Sequence, residues 1–386
     1  MTAFARKLEA DATRMREWFE HMHRHPELSM QETSTADYIA EQLRGIGVDD
    51  IATGVGKTGI VATLKAGTVD KAIGLRADFD ALPIQEQEDL PYKSTVPGAA
   101  HVCGHDGHAA MLLGAASYLA RTRNFNGTVR LIFQPGEETM EGAPAMIRDG
   151  LFERFPVDCV FGMHNIPGLD EGKFYFRPGE TMASVDNWEV EITGRGGHGG
   201  MPELAIDPVV AGASIVMAIQ SIVSRNVAPA HRAVVTIGAF QAGKAGNVVA
   251  DKAILRLSVR TTTPDDRDMV LGNIRRIVAH QSESFGCTSE IREGVPGAVL
   301  VNDEQETEKA AAIARKAFGD DQVICPGPAF LASEDFAFML REKKGTYCFV
   351  GGGPGKMVHH PEYRFNPAIL PVGAAYWVAL VENYLR

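Results

Sequence analysis

The chain has 386 residues, an apolar fraction of 45% and a formal net charge of -11. That length and apolar content exclude a disordered chain and exceed what one ordinary domain needs, so two domains are expected. The acidic residues are scattered and no Lys/Arg-rich run follows a phosphate backbone or an anionic bilayer, which argues against nucleic acid and membrane surfaces as partners.

The first twenty residues, MTAFARKLEADATRMREWFE, place both charges among apolar positions at helical spacing. They predict an amphipathic surface helix and lack the unbroken apolar core of a signal peptide. The runs GIVATL, AIGLRAD, TVRLIFQ and CVFGMHN then read as strands, alternating with helical stretches at 106–122 and 142–149. This order predicts an α/β layer: a mostly parallel sheet with helices on both faces and functional residues where strands end. From about Val185 the texture changes to longer alternating strands, NWEVEITGRG, HRAVVTIGAF and KAILRLSVRT, with helices starting near Asp207 and Asp265. That segment reads as a compact α+β insert. The first texture resumes after about Asn302 and closes with a helix near Val372 to Leu385. The expected plan is a discontinuous domain, 1–185 with 300–386, carrying an inserted domain, 186–299.

The longest apolar stretch, about AAMLLGAASYLA, falls short of the ~20 residues that span a bilayer, so no membrane anchor is expected. The five cysteines, Cys103, Cys159, Cys287, Cys325 and Cys348, are odd in number and widely spaced. They describe no disulfide framework and point to a reducing cytoplasm.

The densest chemical signal is HVCGHDGH, which puts Cys103, His105, Asp106 and His108 in six positions just before an apolar helix. Capping of a helix start explains Asp106. A thiolate and an imidazole two residues apart, in a turn made tight by glycine, are better explained by a shared metal ion. In FQPGEETMEGA, Glu137 and Glu138 stand side by side at a strand end. Adjacent carboxylates repel unless a cation or a shared proton lies between them, and a metal hydrolase needs one as ligand and one as proton shuttle. His164 ends another buried-type strand, and His359 and His360 lie in a late loop after GGGPGK. Any one of these histidines alone would read as a core residue, but several strand ends offering such ligands together suffice for two metals. His198, between glycines in GRGGHGGMP, stands on an exposed loop, either as a plain turn or as a functional group. GVGKT at 54–58 lacks the earlier glycine of a phosphate loop, Ile51 occupying that position, and GGGPG at 351–355 reads as a connector.

With these residues in view, the chain resembles the M20 metallopeptidase and amidohydrolase family, in particular its hippurate hydrolases, N-acyl-amino-acid amidohydrolases and auxin-conjugate hydrolases. The blocks that carry the resemblance run in order along nearly the whole chain: HPELSMQE, LRADFDALPIQE, HVCGHDGHAA, FQPGEE, GMHN, GRGGHGGMP, AIDPV, GNVVAD, LSVRT, SEDF and HHP. It implies a dinuclear site with Cys103 bridging, completed by His105, His164, Glu138 and His359, the pattern His-any-Pro selecting His359 over His360. Two divalent ions are implied, Zn²⁺ or Mn²⁺, with Co²⁺ and Ni²⁺ also suited to such ligands. Glu137 would be the general base and Asp78 a carboxylate that orients a ligand.

The resemblance further implies that the insert is a lid and a dimerisation surface and that the protein is a homodimer or tetramer. His198 would reach the partner subunit's site to polarise the scissile carbonyl. Asn247 would bind the substrate carbonyl, and Arg260 the α-carboxylate, a role its planar fork suits. The implied reaction is hydrolysis of N-acyl amino acids, N-acetyl or N-benzoyl, with dipeptide cleavage or non-catalytic metal binding as rival readings. Thr139, Met140, Glu141 and Glu203 depart from the usual pattern, at positions that bear on acyl preference.

Overall fold

The computed structural model describes residues 8–386. The predicted N-terminal helix is α1 (Glu9–Arg24), and the first seven residues of that prediction lie outside the described residues. Met15, Trp18, Phe19 and Met22, spaced to share one side of a helix, are all buried, so α1 contributes to the core. Helix α2 (Thr33–Ile46) ends at Gly47, whose φ of 83° is the left-handed stop that glycine takes without cost. Strands β1 (Asp50–Val55), β2 (Gly59–Ala66) and β3 (Ala72–Asp78) follow. Next come α3 (His105–Thr122), β4 (Gly127–Gln134), a short helix Gly142–Arg148 and β5 (Cys159–Ile166).

The second texture supplies β6 (Ser184–Thr193), α4 (Pro208–Arg225), β7 (Ala233–Ala242), β8 (Lys252–Thr261), α5 (Pro264–Ser284) and β9 (Thr288–Glu293). The chain finishes with α6 (Glu304–Phe318), β10 (Lys344–Gly351) and α7 (Leu370–Tyr384).

Two compact units result. One comprises the chain to Gly179 with Val301–Ala329 and Asp335–Arg386, the other Glu180–Leu300 with Phe330–Glu334. The short piece belongs with the second unit because Ala183 N–H donates to the carbonyls of Phe330 and Ala332, and Phe330 N–H donates to Thr181.

In the first unit the strand order is β1-β2-β4-β3-β5-β10, continued by Phe174–Tyr175 and Val323–Ile324. The sheet is α/β but mixed. Its centre, β4-β3-β5-β10, is parallel, whereas β1–β2 and β2–β4 are antiparallel. Geometry explains both: β1 and β2 join through a tight turn at Gly56 and Lys57, both at positive φ, which forces antiparallel pairing, while β3 and β4 are joined by the long crossover helix α3. Every position of β5 is buried, as expected of a strand covered on both faces. Helix α3 is buried continuously from His105 to Ser117 and packs against α1, α7 and β3. It is therefore a rigid, central base for whatever its first turn carries.

The second unit is an antiparallel sheet, β7-β8-β6-β9, packed by α4 and α5. Burial alternates along β6, as a half-covered strand requires. Asp207 caps α4 by accepting the Val209 N–H at 2.8 Å. By length and composition alone α4 is apolar enough to cross a bilayer. Ser214, Gln220 and Ser221 interrupt it, so it holds no long unbroken apolar run. In this unit Ala211, Ile215, Ile219 and Ile222 bury one face of α4 in the core, and Val209, Val210 and Met217 remain exposed.

Candidate metal centre

Because β4, β3, β5 and β10 are parallel neighbours, their C-terminal ends lie side by side, and the segments leaving them converge. β3 runs out into Asp78 and Asp80, β4 into Pro135–Glu138, β5 carries His164 near its end, and the loop after β10 carries His359. Between β3 and β4 the chain returns through His101–Gly104, and α3 begins at His105. Gly104 has φ 95°, and a Cβ there would meet Asn165 Oδ1 at 2.3 Å, so only glycine admits this approach.

Among the described residues, two of the possible ligand triads share Cys103. Possible donor atoms of Cys103, His105 and His164 all lie within 4.8 Å of one another, as do those of Cys103, Glu138 and His359. Glu137 joins His105 and Glu138 in a third such group. Cys103 Sγ is 3.3 Å from His164 Nε2, and His359 Nε2 is 3.3 Å from Glu138 Oε2. His359 takes a φ of 68° and is tied through its N–H to the Val102 carbonyl at 2.7 Å, whereas His360 belongs to none of the groups.

The hydrogen bonds fix which ring nitrogens face inward. His105 Nδ1 faces two acceptors, Asp80 Oδ1 at 3.0 Å and the Asp80 carbonyl at 3.1 Å, so it carries the proton. His164 Nδ1 likewise faces the Asn165 carbonyl at 2.6 Å. Each Nε2 lone pair is thereby turned toward the cluster, the arrangement in which a second group orients a metal-binding imidazole. His105 Nε2 and Glu138 Oε1 are buried and find no hydrogen-bond partner among the described residues. Unsatisfied buried atoms are costly, and a cation between these two would satisfy both, so the residues fit divalent metal.

Electrostatics point the same way. Burial, with His108 and His105 nearby, holds the His164 pKa well below the ordinary histidine range, leaving a neutral ligand. Burial pushes the Cys103 thiol well up, and the Glu138 carboxylate adds to this. Burial alone would depress His105, yet Asp78, Cys103 and the bond to Asp80 raise it well above its usual value. A metal ion would take the place of the protons on Cys103 and His105.

The surrounding layer departs from the sequence expectation at one point. Asp78 was expected to orient a ligand, but the carboxylate bonded to His105 is that of Asp80, and Asp78 Oδ2 lies 3.8 Å from His105 Nε2. Asp78 instead accepts from His108 Nδ1 at 2.6 Å and from the fully buried Arg76 at 2.8 Å. Arg76 also pairs with Asp335 at 3.2 Å, and His108 reaches on to Asn165 at 2.7 Å. Behind α3, His23 bridges Asp106 at 2.7 Å and Glu86 at 3.1 Å. Burial opposes its charge, but the two carboxylates prevail and raise its pKa to about 9. The neighbouring His101, buried without a partner among the described residues, is lowered by burial to about 4. The sequence offered one signal for Asp80, its i+2 spacing from Asp78. Nothing in it flagged His23 or Arg76.

His198, Asn247 and Arg260 lie in the second unit. His198 pairs with Val248 in a two-residue ladder, and Gly199 N–H donates to the Asn247 carbonyl, so His198 and Asn247 are neighbours. The exposed His198 ring accepts the Gly200 N–H at Nδ1, 3.0 Å away, which leaves the proton on Nε2 as an outward donor. Arg260 donates to the Leu331 carbonyl at 2.7 Å and Ser333 Oγ at 3.1 Å, and Glu203 is exposed.

The sequence profile of peptidase family M20/M25/M40 matches residues 74–383. A hippurate hydrolase of Campylobacter jejuni is 43% identical over 365 residues, 95% of each chain. An N-acetylcysteine deacetylase of Bacillus subtilis is 36% identical over 95% of each chain. Among solved structures, a Bacillus subtilis protein described as a dinuclear metal-binding peptidase of the M20 family superposes with a TM-score of 0.84. It is 33% identical and covers 98% of this chain and 99% of its own.

Proposed function

The chain belongs to peptidase family M20/M25/M40, and from that premise we propose that it is a metal-dependent amidohydrolase that cleaves N-acyl amino acids to a carboxylic acid and a free amino acid. One observation carries the reading: Cys103 is shared by two ligand triads, and Glu137 stands beside them, within reach of His105 and Glu138, as a further carboxylate once the five ligands are assigned. A purely structural metal site closes its coordination and has no use for such a group. The relatives named for hippurate and N-acetylcysteine support N-acyl amino acids as the substrate class.

Cys103, His105, Glu138, His164 and His359 would hold two divalent ions, Zn²⁺ or Mn²⁺ being best suited. When bound, such ions polarise a carbonyl and make water acidic enough to ionise near neutrality. Glu137 takes a proton from the attacking water as the C–O bond forms, then gives it to the leaving nitrogen as the C–N bond breaks. Asp80, more than Asp78, holds His105 in its working tautomer. Arg260 grips the α-carboxylate and Asn247 the substrate carbonyl. His198, a donor at Nε2, stabilises the developing oxyanion in the partner subunit of a homodimer. The inserted unit serves as lid and dimerisation surface, and the enzyme works in the cytoplasm.

The test is release of free amino acid from N-acetyl- and N-benzoyl-amino acids, with chelator or with added Mn²⁺ or Zn²⁺, beside Glu137→Gln. Metal-dependent turnover lost in the variant at unchanged metal content is expected. Turnover confined to dipeptides would replace the substrate class, and bound metal without turnover on either would replace the enzyme reading with a binding protein. Sedimentation as a monomer at assay concentration would remove the role of His198 in the partner's site.

A further inference from the structure

The block HPELSMQE has no part in the reaction described above, yet its last residue, Glu32, is fully buried. Glu32 Oε1 accepts two backbone N–H groups, from Met30 at 2.7 Å and from Gly136 at 2.9 Å. Its Oε2 accepts the Thr58 hydroxyl at 2.8 Å. Gly136 immediately precedes Glu137. On the other side of Glu137, the Glu138 N–H donates to Asp80 Oδ2 at 3.0 Å, and the same oxygen accepts from the Ser29 hydroxyl at 2.7 Å. The N–H groups of the residues on either side of Glu137 are thus each held by a buried carboxylate, and residues 29–32 supply one of these and bond to the other.

The contact is close as well as polar. Met30 takes a φ of 61°, a conformation that side chains other than glycine rarely adopt, and Gly136 a φ of 59°. A Cβ on Gly136 would meet Met30 Sδ at 2.4 Å. The Gly136 carbonyl is taken in turn by the N–H groups of Glu141 and Gly142, and the Glu137 carbonyl by Met140. Strain of this kind persists only where surrounding bonds over-determine the backbone.

We infer that Glu32 is a positioning residue for Glu137, fixing the backbone of the Pro135–Glu138 turn so that the Glu137 carboxylate stays beside His105 and Glu138. The inference rests on Glu137 being the general base. It requires the length and acceptor geometry of the Glu32 side chain and not its charge, because its three partners are neutral donors and the hydroxyl of Thr58 can turn to accept.

Two conservative variants of the metal-loaded enzyme separate the cases. Glu32→Gln keeps the length and the oxygen that receives Gly136, and should hold kcat within about three-fold. Glu32→Asp keeps the charge but retracts the acceptor by one methylene, and should lower kcat about ten-fold or more, since small misplacements of a reacting group are costly in rate. In Glu32→Asp, KM should stay within about two-fold and metal content should be unchanged. Amide exchange read by mass spectrometry over residues 133–142 should be faster in Glu32→Asp than in the wild type or Glu32→Gln. An Asp variant as active as the Gln variant, a loss that follows metal content or KM, or unchanged exchange would overturn the assignment. Glu137→Gln measured alongside keeps the two failures apart: turnover surviving there removes the base role itself, whereas a silent Glu137→Gln with a fully active Glu32→Asp removes only the brace.

Discussion

Asp80 receives the Nδ1 proton of His105, its carboxylate at 3.0 Å and its carbonyl at 3.1 Å, and this contact turns the opposite nitrogen of the ring into the cluster shared with Cys103 and Glu138. Asp80→Ala should therefore weaken metal binding about 10- to 100-fold, the usual loss when a ligand's orienting partner is removed. Competition against a chromogenic chelator reads it directly, and Asp78→Ala measured in parallel should cost less if the bond to His105 is what matters.

Metal uptake should release protons. Burial pushes the Cys103 thiol up, and against burial Asp78 and the bond to Asp80 raise His105, so both sites hold protons that a metal must displace. Apparent affinity is expected to rise with pH through the neutral range and to fall on acidification. Calorimetry of Zn²⁺ binding in buffers of different ionisation enthalpy would detect at least one released proton per chain, and buffer-independent heats would contradict this.

His23 should make the fold less stable in alkali. Its pKa is raised from 6.5 to about 9 by Asp106 and Glu86 against the opposing effect of burial. The stabilisation is therefore complete below about pH 6.5 and is lost as pH rises through about 9, a span that corresponds to roughly 3 kcal/mol. Urea midpoints of the chelated protein between pH 6 and 9.5 should fall in the wild type and stay much flatter in His23→Asn, which starts lower.

Arg76 is the buried cation that balances Asp78 and Asp335, with bonds of 2.8 and 3.2 Å. Arg76→Met would leave both carboxylates buried without it, a loss of about 3–5 kcal/mol. Chemical denaturation should show it, and a variant with wild-type stability would mean that Asp335 and Asp78 find other donors.

Gly107 sits in the first turn of α3, where a Cβ would meet the Phe365 ring at 2.4 Å. Gly107→Ala should destabilise by about 1–3 kcal/mol, because an aromatic ring in a packed core has nowhere to retreat. Activity should fall further than stability alone explains, since the same turn carries His105.

That Cys103, His105, Glu138, His164 and His359 would come together was legible in the sequence because these residues are chemically unusual for their positions. A thiol, imidazoles and paired carboxylates at the ends of apolar strands have few packing explanations. What surrounds them was not legible. Asp78 and Asp80 stand two residues apart, and which one meets His105 depends on how the chain leaves β3, which no periodicity records. Glu32 and Gly136 are separated by 104 positions, and His23 and Asp106 by 83, so only the folded path brings them together. The sheet's antiparallel edge was lost for a related reason: a strand's apolar run is the same whichever way its neighbour points.

The insertion of the second unit between β5 and β10 also has a consequence for biosynthesis. Four members of the cluster, Cys103 to His164, leave the ribosome before that unit is made, and His359 follows some two hundred residues later. A nascent chain therefore carries four of the five candidate ligands throughout translation of the insert. The insert, largely one continuous stretch, can complete its own core first. With the proposed ligand set, the triad of Cys103, Glu138 and His359 stays open until His359 emerges, and ribosome-bound chains halted short of residue 359 would sequester metal more weakly than the finished protein.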